Sequence, residues 1–479
     1  MTASSLRDGQ ADLPPPRSTA SFWHRDPSPL LGHRTTPDLP ASTDTIIIGT
    51  GITGSFAAKF LKDKSPSTRV VLLDAREVCW GATGRNGGHC QPNVYAQAPA
   101  VSRFEVATFR YLRDLVAANA IPCDWVPLEG VHAYETKDLF AQATAHLVDR
   151  QRSDPELGAG ARLAEKPEDL AALHVPSAAG AVAQTHAASV WPYKLVCWVI
   201  EDLLRRFSAD GSFNLQTTTP VTHLQRLEYS IPSSSARWIA HTPRGQIAAR
   251  NIILATNAHT SHLLPDFSDL IVPVRGQVAA LLPHPGHASI ASTNSYVFMG
   301  TPPSPRPSQD DYLIQRPDGA RELILGGGRS RGTARGVGIS SDDVIDPVVA
   351  EYLRATLARD LDLGPGGGPP APFEAAYEWT GTMGFSRDFN PWVGAVPEGL
   401  GGGDGLWMSA AYTGHGMPQA ALCGEAVVDM MFGGDGAIAA DGFIEGFPLP
   451  DEFRITQARV HAARERESVR EMDAMDMFI

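Results

Sequence analysis

The stretch TDTIIIGTGITG, residues 43–54, decides the fold. Its first half is a short apolar run typical of a buried strand, and residues 55–61 continue with helical spacing. Residues 69–74, RVVLLD, form a second apolar run. A strand, a helix and a second strand in this order predict a β-α-β unit with parallel strands.

The glycines of this stretch, Gly49, Gly51 and Gly54, have the spacing of a dinucleotide-binding turn. They permit a tight turn, the close approach of a pyrophosphate, and close packing of the helix on the strand. Asp74 follows Gly54 by 20 residues, where its carboxylate can accept hydrogen bonds from a ribose and disfavours a 2′-phosphate. We therefore expect a dinucleotide to bind at this turn, with its phosphates at the helix N-terminus.

A second glycine-rich segment, GATGRNGGH at residues 81–89, follows the second strand closely. Its glycines let the backbone lie against a flat or charged group. Arg85 can offset pyrophosphate charge, and Asn86 and His89 can reach a ring system. An ordinary surface loop would not need these side chains between its glycines, so we interpret the segment as part of the same site.

Together, these motifs resemble the D-amino-acid-oxidase-like (DAO) family of FAD-dependent oxidoreductases, near the glycine and sarcosine oxidases and γ-glutamylputrescine oxidase. Further segments of the chain agree with that family in order. They are PYKLV (192–196), TPV (219–221), LATNA (254–258), PVRGQ (273–277), LGGG (325–328) and YTGHGM (412–417). The resemblance covers about residues 42–433 and is specific for the family, although not for a substrate.

The resemblance implies that FAD is the cofactor. Val221 would meet adenine through its backbone, and the 414–417 turn would lie near the flavin pyrimidine edge. The residues implied in FAD binding are Gly49, Gly51, Ile52, Thr53, Gly54, Asp74, Ala75, Gly81, Ala82, Thr83, Arg85, Asn86, Gly87, Gly88, His89, Val221, Thr256, Asn257, Gly414, Gly416 and Met417. Sarcosine-oxidase relatives attach FAD through a cysteine near residues 375–378, where this chain has none. Non-covalent FAD is therefore expected, with His89 as the alternative attachment point.

The candidate catalytic residues are His415, Arg387 and Tyr312. A carboxylate-bearing substrate needs an arginine, because a guanidinium binds a carboxylate in a bidentate manner. Arg387 is the leading candidate, since relatives cover the flavin with this strand, and Arg316 and Arg329 are the others. Each assignment has a structural alternative: a salt bridge to Asp388 for Arg387, core packing for Tyr312 and a helix cap for His415.

The sequence predicts an α/β fold, α+β overall. A Rossmann-type FAD-binding domain would be assembled from residues 41–112, 180–270 and 373–450. A mainly antiparallel β-sheet substrate domain, residues 113–179 and 271–372, would be inserted between these pieces. Residues 1–40 are predicted to be a mostly disordered arm, in which Phe22, Trp23 and His24 could dock, and residues 451–479 to contain a peripheral helix.

Composition excludes several classes of protein. The 479 residues carry 40 Lys and Arg against 53 Asp and Glu, a net charge of −13, so a nucleic-acid partner is not expected. Five widely spaced cysteines without a CxxC pair argue against a metal site or a disulfide framework. Neither a secretory signal nor a run long enough to span a membrane is visible. A soluble, cytoplasmic protein is expected.

The predicted function is oxidation of a C–N bond of an amine or amino acid by hydride transfer to flavin N5. Oxygen is the expected acceptor, as in an oxidase, and another electron acceptor, as in a dehydrogenase, is the alternative. Two alternatives remain open. One is a tailoring oxidase for a larger natural product, for which the Pro-rich residues 301–308 would shape a bulky pocket. The other is a non-catalytic dinucleotide-binding sensor, which would need neither the 81–89 segment nor the GHGM turn.

Overall fold

The computed structural model describes residues 6–7, 9–227, 235–284, 293–300, 308–362, 372–439 and 446–469. Its strands are β1 (Ser42–Ile48), β2 (Val70–Leu73), β3 (His89–Cys90), β4 (Val126–Tyr134), β5 (Ala161–Ala164), β6 (Gly180–Ser189), β7 (Phe213–Gln216), β8 (His223–Arg226), β9 (Trp238–Thr242), β10 (Gly245–Leu254), β11 (Ile271–Leu281), β12 (Asn294–Gly300), β13 (Gln309–Gln315), β14 (Leu323–Gly326), β15 (Ala375–Ser386), β16 (Trp392–Ala395), β17 (Leu406–Ala410), β18 (Ala437–Ile438) and β19 (Phe447–Pro448). Its helices are α1 (Ile52–Lys64), α2 (Pro99–Asn119), α3 (Lys137–Ser153), α4 (Pro155–Gly158), α5 (Pro167–Ala172), α6 (Pro192–Phe207), α7 (Thr260–Leu263), α8 (Pro347–Asp360), α9 (Ala420–Met431) and α10 (Gln457–Glu465).

The first sheet has the Rossmann-type arrangement that the sequence predicts. Its strand order is β16-β17-β10-β1-β2-β7. The five strands β17, β10, β1, β2 and β7 are parallel to one another, and β16 pairs antiparallel with β17. Strand β9 pairs antiparallel with β10, and β8 pairs antiparallel with β9. In the register, Ile48 lies beside both Leu73 and Leu254. The carboxyl ends of these three strands therefore meet at one edge, the usual place for a dinucleotide crevice.

Side chains on the two faces of β1 pack into two different hydrophobic clusters. Ile47 packs with residues of α1, α2, α6 and α9, whereas Ile46 and Ile48 pack with residues of β9, β10 and α10. Successive side chains of a strand point to opposite faces, and both faces of this strand are covered. This explains why β1 is an almost unbroken apolar run.

The second sheet is mainly antiparallel, in the order β15-β11-β14-β13-β12-β4-β6-β3, with β5 beside β6; β4 and β12 pair in parallel. The predicted domain boundaries differ from the structure at three strands. Strands β3, β6 and β15 were expected in the FAD-binding domain, but in the second sheet β3 and β4 pair with β6, and β15 pairs with β11. These pairings join residues far apart in sequence, so local patterns could not reveal them.

Residues 9–40 of the N-terminal arm are ordered in the structure, contrary to the prediction of a mostly disordered segment. Phe22 and Trp23 are fully buried. The buried indole N–H of Trp191 donates a hydrogen bond to the carbonyl oxygen of Trp23 at 2.8 Å. Ser21 Oγ also donates to the carbonyl oxygen of Gly84 at 2.8 Å. Burial of two large aromatic side chains and these hydrogen bonds offset the entropy lost on ordering the arm.

Two further predicted segments fall partly outside the described residues: the Pro-rich residues 301–308, of which only residue 308 is described, and the C-terminal residues 451–479, described up to residue 469. The peripheral helix predicted in the C-terminal segment is described as α10, Gln457–Glu465. Across the described ranges, no helix is both long enough and apolar enough to cross a membrane.

Candidate active site

Helix α1 begins just beyond β1, and its N-cap residue is Gly51, which has no side chain to cap the helix. The first turn of α1 has no acidic residue. Gly49 has a φ of +109°, and a Cβ there would collide with the carbonyl oxygen of Ala255. A Cβ on Gly54 would collide with the carbonyl oxygen of Gly49, so Gly54 permits close packing of helix on strand. The N–H groups of the first turn of α1 and the positive end of the helix dipole fit a pyrophosphate.

Asp74 stands at the end of β2, beside this turn. Its Oδ2 accepts hydrogen bonds from the Thr50 N–H at 2.8 Å and the Thr50 hydroxyl at 2.5 Å, and its Oδ1 accepts from the Arg76 N–H at 2.9 Å. These bonds fix the carboxylate and leave acceptor capacity for a ribose hydroxyl. Ala75 and Val221 line the same end of the crevice.

One cavity of about 610 Å³ joins this crevice to a chamber under the second sheet. It brings together most of the residues predicted to bind the cofactor. These are Gly49, Gly51, Ile52, Thr53, Asp74, Ala75, Gly81, Ala82, Thr83, Arg85, Asn86, Gly87, His89, Val221, Thr256, Asn257, Gly414, Gly416 and Met417. Gly54 and Gly88 are not in its lining.

Within the 81–89 segment, Thr83 faces the helix N-terminus, where its hydroxyl accepts from the Ile52 N–H at 3.1 Å. Arg85 lines the cavity and is held by protein partners, and its role in offsetting pyrophosphate charge stays a prediction. Its side chain is fully buried and forms an ion pair with Asp342 at 3.2 Å, and Nε donates to the Thr380 carbonyl oxygen at 2.5 Å. Burial lowers the Arg85 pKa to about 10 despite the charge of Asp342.

Gly88 supports the N-terminal arm and does not contact the cavity. It has a φ of +72°, and a Cβ there would lie 2.7 Å from the Trp23 ring. The Trp23 indole N–H donates to the carbonyl oxygen of the neighbouring Asn86 at 2.6 Å. Residues Leu13 and Pro14 of the same arm line the cavity. The arm is thus part of the wall around the site, which the sequence did not predict.

The 412–417 turn joins β17 to α9 and lines the opposite wall. Gly414 has a φ of +79°. Gln419 and Ala420, at the N-terminus of α9, line the cavity, so the positive end of the α9 dipole faces it, and the first turn of α9 has no acidic residue. His415 Nε2 lies 3.1 Å from Oε2 of Glu105, a fully buried carboxylate of α2. Burial lowers the pKa of His415, but the charge and hydrogen bond of Glu105 outweigh it and raise the pKa above the usual value.

The second sheet contributes a network of buried polar side chains to the far end of the cavity. His89 Nδ1, Ser295, Gln91 and His132 form a hydrogen-bonded chain with successive distances of 2.7, 2.8 and 2.7 Å. Burial lowers the pKa of His89 to about 3 and that of His132 to about 4, so both rings are neutral near pH 7. The Tyr312 ring meets His89 edge to face at 5.2 Å, and burial raises its pKa.

The three candidate arginines have different environments. Arg387 does not line the cavity, and its guanidinium donates to the carbonyl oxygen of Arg466 at 2.9 and 2.6 Å. The structure therefore does not support its predicted carboxylate role, and the alternative salt bridge to Asp388 is not found either. Arg316 pairs with Asp124 at 2.5 Å outside the cavity. Arg329 does line the cavity, where it pairs with Asp310 at 3.5 Å.

Sequence reasoning missed Glu105, and it also missed Gln91 and His132. Glu105 interrupts the apolar face of α2, between Val101 and Leu112, and a carboxylate at such a position was an available signal. In the parts of the chain that the structure describes, no group of three or more His, Cys, Asp or Glu side chains could hold a metal ion.

A dinucleotide crevice that opens into a chamber under a second sheet defines the class of protein. The DAO family model, described as FAD dependent oxidoreductase, matches residues 44–430, and the chain belongs to this family. The α1 N-terminus, Asp74 and the continuous cavity fit an FAD molecule. A comparison with curated proteins gives no match.

Several solved structures share the fold. Glycine oxidase from Geobacillus kaustophilus has 18% identity and a TM-score of 0.63, and the match covers 86% of this chain and 99% of that chain. L-amino acid deaminase from Proteus vulgaris, lacking its specific insertion, has 15% identity and a TM-score of 0.63, with 90% and 98% covered. Iminodiacetate oxidase from Chelativorans sp. BNC1 has 18% identity and a TM-score of 0.60, with 81% and 95% covered.

Proposed function

We propose that this chain is an FAD-dependent oxidase that acts on a C–N bond of an amine or amino acid, with oxygen as acceptor and FAD bound non-covalently. Family membership supports the cofactor. The names of the similar structures, a glycine oxidase, an L-amino acid deaminase and an iminodiacetate oxidase, each specify a substrate with a carbon–nitrogen bond.

The observation that carries the proposal is the continuity of the cavity. It runs from Asp74 and Val221, where an adenosine would lie, past the 414–417 turn, to the chamber walled by Gln91 and Tyr312. A plain nucleotide sensor needs the first end only. A chamber joined to the cofactor crevice gives a small substrate access to the reactive part of the cofactor.

When bound, FAD supplies the acceptor for a hydride that leaves the carbon next to the amine nitrogen. The contribution of the chain is mainly to position the substrate and to exclude water, since flavin chemistry of this kind needs no strong nucleophile. Neutral His89 and buried Gln91 offer hydrogen bonds without a competing charge. Arg329 offers a guanidinium for a substrate carboxylate.

Non-covalent attachment is supported by the position of the cysteines. All five are buried, and none lines the described part of the cavity. Burial raises the pKa of Cys90 and Cys423, so both thiols are neutral. A neutral, buried thiol is a poor nucleophile toward a flavin methyl group.

The test is reduction of the FAD-loaded protein by glycine, sarcosine, putrescine and benzylamine. We expect at least one of them to bleach the visible flavin band without oxygen and to yield hydrogen peroxide when oxygen is admitted. Catalase, which removes peroxide, controls the second signal. A protein that binds FAD but is reduced by a nicotinamide and by none of the amines would contradict C–N oxidation.

A further inference from the structure

Glu105 is hydrogen-bonded to three groups, one in the loop after β3 and two in the connection between β17 and α9. Its Oε2 accepts from the Asn93 N–H at 2.7 Å and lies 3.1 Å from His415 Nε2, while its Oε1 accepts from the Gln419 side-chain amide at 2.7 Å. The Glu105 side chain has 0% exposure. The two oxygens of the Glu105 carboxylate can accept all three hydrogen bonds, two at Oε2 and one at Oε1.

This arrangement fixes the tautomer of His415. Because the Glu105 carboxylate only accepts hydrogen bonds, His415 Nε2 must carry a proton. Nδ1 is then the ring atom that changes, with a lone pair in the neutral ring and an N–H in the cation. The His415 side chain is 33% exposed and lines the cavity, so the ring reaches the space that a ligand would enter.

Glu105 is the charged group that raises the pKa of His415, and the other titratable groups around the pair are neutral. His132, on β4, is neutral near pH 7 because burial, with a smaller effect from the charge of His415, lowers its pKa to about 4. Cys90 on β3 and Cys423 on α9 are close to Glu105, and burial raises the pKa of both thiols, so neither adds a charge. A fixed carboxylate behind a histidine increases the basicity of the ring.

We propose that His415 Nδ1 is the base that takes a proton from the ammonium group of the substrate, with Glu105 as the positioning residue that orients the ring. In this step an N–H bond of the ammonium breaks and an Nδ1–H bond forms. The electron pair of the broken bond stays on the amine nitrogen, and no electron is transferred. The neutral amine can then release hydride from its neighbouring carbon, whereas the ammonium ion cannot.

The inference rests on the proposed function and also defines a substrate class. The substrate enters as a protonated primary, secondary or tertiary amine. A quaternary ammonium ion has no N–H proton to give, so it is excluded as a substrate even where it fits the chamber.

The first experiment measures the titration of His415 directly, in FAD-loaded protein labelled with ¹⁵N-histidine. The His415 signals are assigned by their loss in His415→Gln. We expect Nε2 to stay protonated and Nδ1 to titrate above the ordinary histidine pKa, and the Glu105→Gln variant to lower that pKa by about one unit or more. A bare Nε2, or the same pKa in Glu105→Gln, would overturn the inference.

The second experiment compares pH profiles of kcat/KM with the best amine of the panel. The acid limb of the wild-type profile should move to lower pH in Glu105→Gln and vanish in His415→Gln, with a plateau reduced about 100-fold or more in the latter. Glu465→Gln is the matched control, because Glu465 forms an exposed pair with His461 on α10. Its profile should equal that of the wild type.

The outcomes separate the two proposals. If FAD-loaded protein oxidises none of the amines, the proposed function is contradicted, and so is the role of His415 as the base. If turnover occurs and the acid limb of Glu105→Gln coincides with that of the wild type, only the role of the Glu105–His415 pair is contradicted. Normal FAD content in both variants shows that an effect on the profile does not come from loss of the cofactor.

Discussion

The Trp23 ring lies against Gly88, 2.7 Å from the position that a Cβ on this glycine would take. The contact joins the N-terminal arm to the glycine-rich segment at 81–89, most of which lines the cavity. Trp23 is fully buried, and its indole N–H donates to the carbonyl oxygen of Asn86. The arm therefore holds the backbone that forms one wall of the FAD site.

Replacing Trp23 with alanine tests this contact. We expect Trp23→Ala to lower the free energy of unfolding by about 3–5 kcal/mol, since it leaves a large cavity, and to reduce FAD content. Urea unfolding and flavin absorbance measure both effects. Leu31→Ala, at a side chain of the same arm that is 46% exposed, should change neither. Equal stability of the two variants would contradict the structural role of Trp23.

The glycine turn is tested by Gly51→Val, which we expect to abolish FAD retention. A Cβ at Gly51 would lie 3.1 Å from Thr83 Oγ1 and would enter the space of the pyrophosphate. Gly399→Val is the control, because a Cβ there has no other atom within 4 Å. The flavin-to-protein absorbance ratio of the purified variants measures the result. Full flavin content in Gly51→Val would contradict the assignment of the turn.

The arginines are tested as a pair with one amine and one amino acid substrate. We expect Arg329→Met to raise KM for the carboxylated substrate about 10-fold or more relative to the plain amine, because a charged hydrogen bond is lost. Arg387→Ala should leave both KM values unchanged, since its guanidinium binds the Arg466 carbonyl oxygen outside the cavity. A selective effect in Arg387→Ala alone would reverse the assignment.

The Glu105–His415 pair predicts a pH dependence of stability. The folded-state pKa of His415 is raised, so its protonation stabilises the folded protein. That contribution is fully present below the unfolded value of about 6.5 and is lost as the pH rises through the folded pKa. The Tm difference between the wild type and Glu105→Gln should therefore be larger at pH 5.5 than at pH 9. A difference that does not change with pH would contradict a charged His415.

The sequence was sufficient for features that local patterns encode. The first β-α-β unit and Asp74 follow from spacing within about 30 residues, and the structure has them where they were predicted. The family resemblance also predicted that the 414–417 turn, far away in sequence, lies near the cofactor, and this turn lines the same cavity.

Other features depend on partners far apart in sequence. Strand β15 belongs to the second sheet because it pairs with β11, about 100 residues earlier. Arg387 directly follows β15, and its guanidinium donates to the carbonyl oxygen of Arg466, a residue 79 positions later in the chain. Glu105 lies 310 residues from His415, so no spacing rule could connect them. In each case tertiary contacts, rather than local propensity, decide the role.

The visible absorption spectrum of the purified protein, repeated on the supernatant after acid precipitation, tests the central claim most directly. The FAD site formed by the α1 N-terminus, Asp74 and the continuous cavity predicts flavin bands in the native protein and their full release into the supernatant. Protein that shows no flavin band after incubation with FAD would contradict the cofactor assignment. Colour that stays in the pellet would contradict non-covalent binding and would indicate attachment through a side chain such as His89.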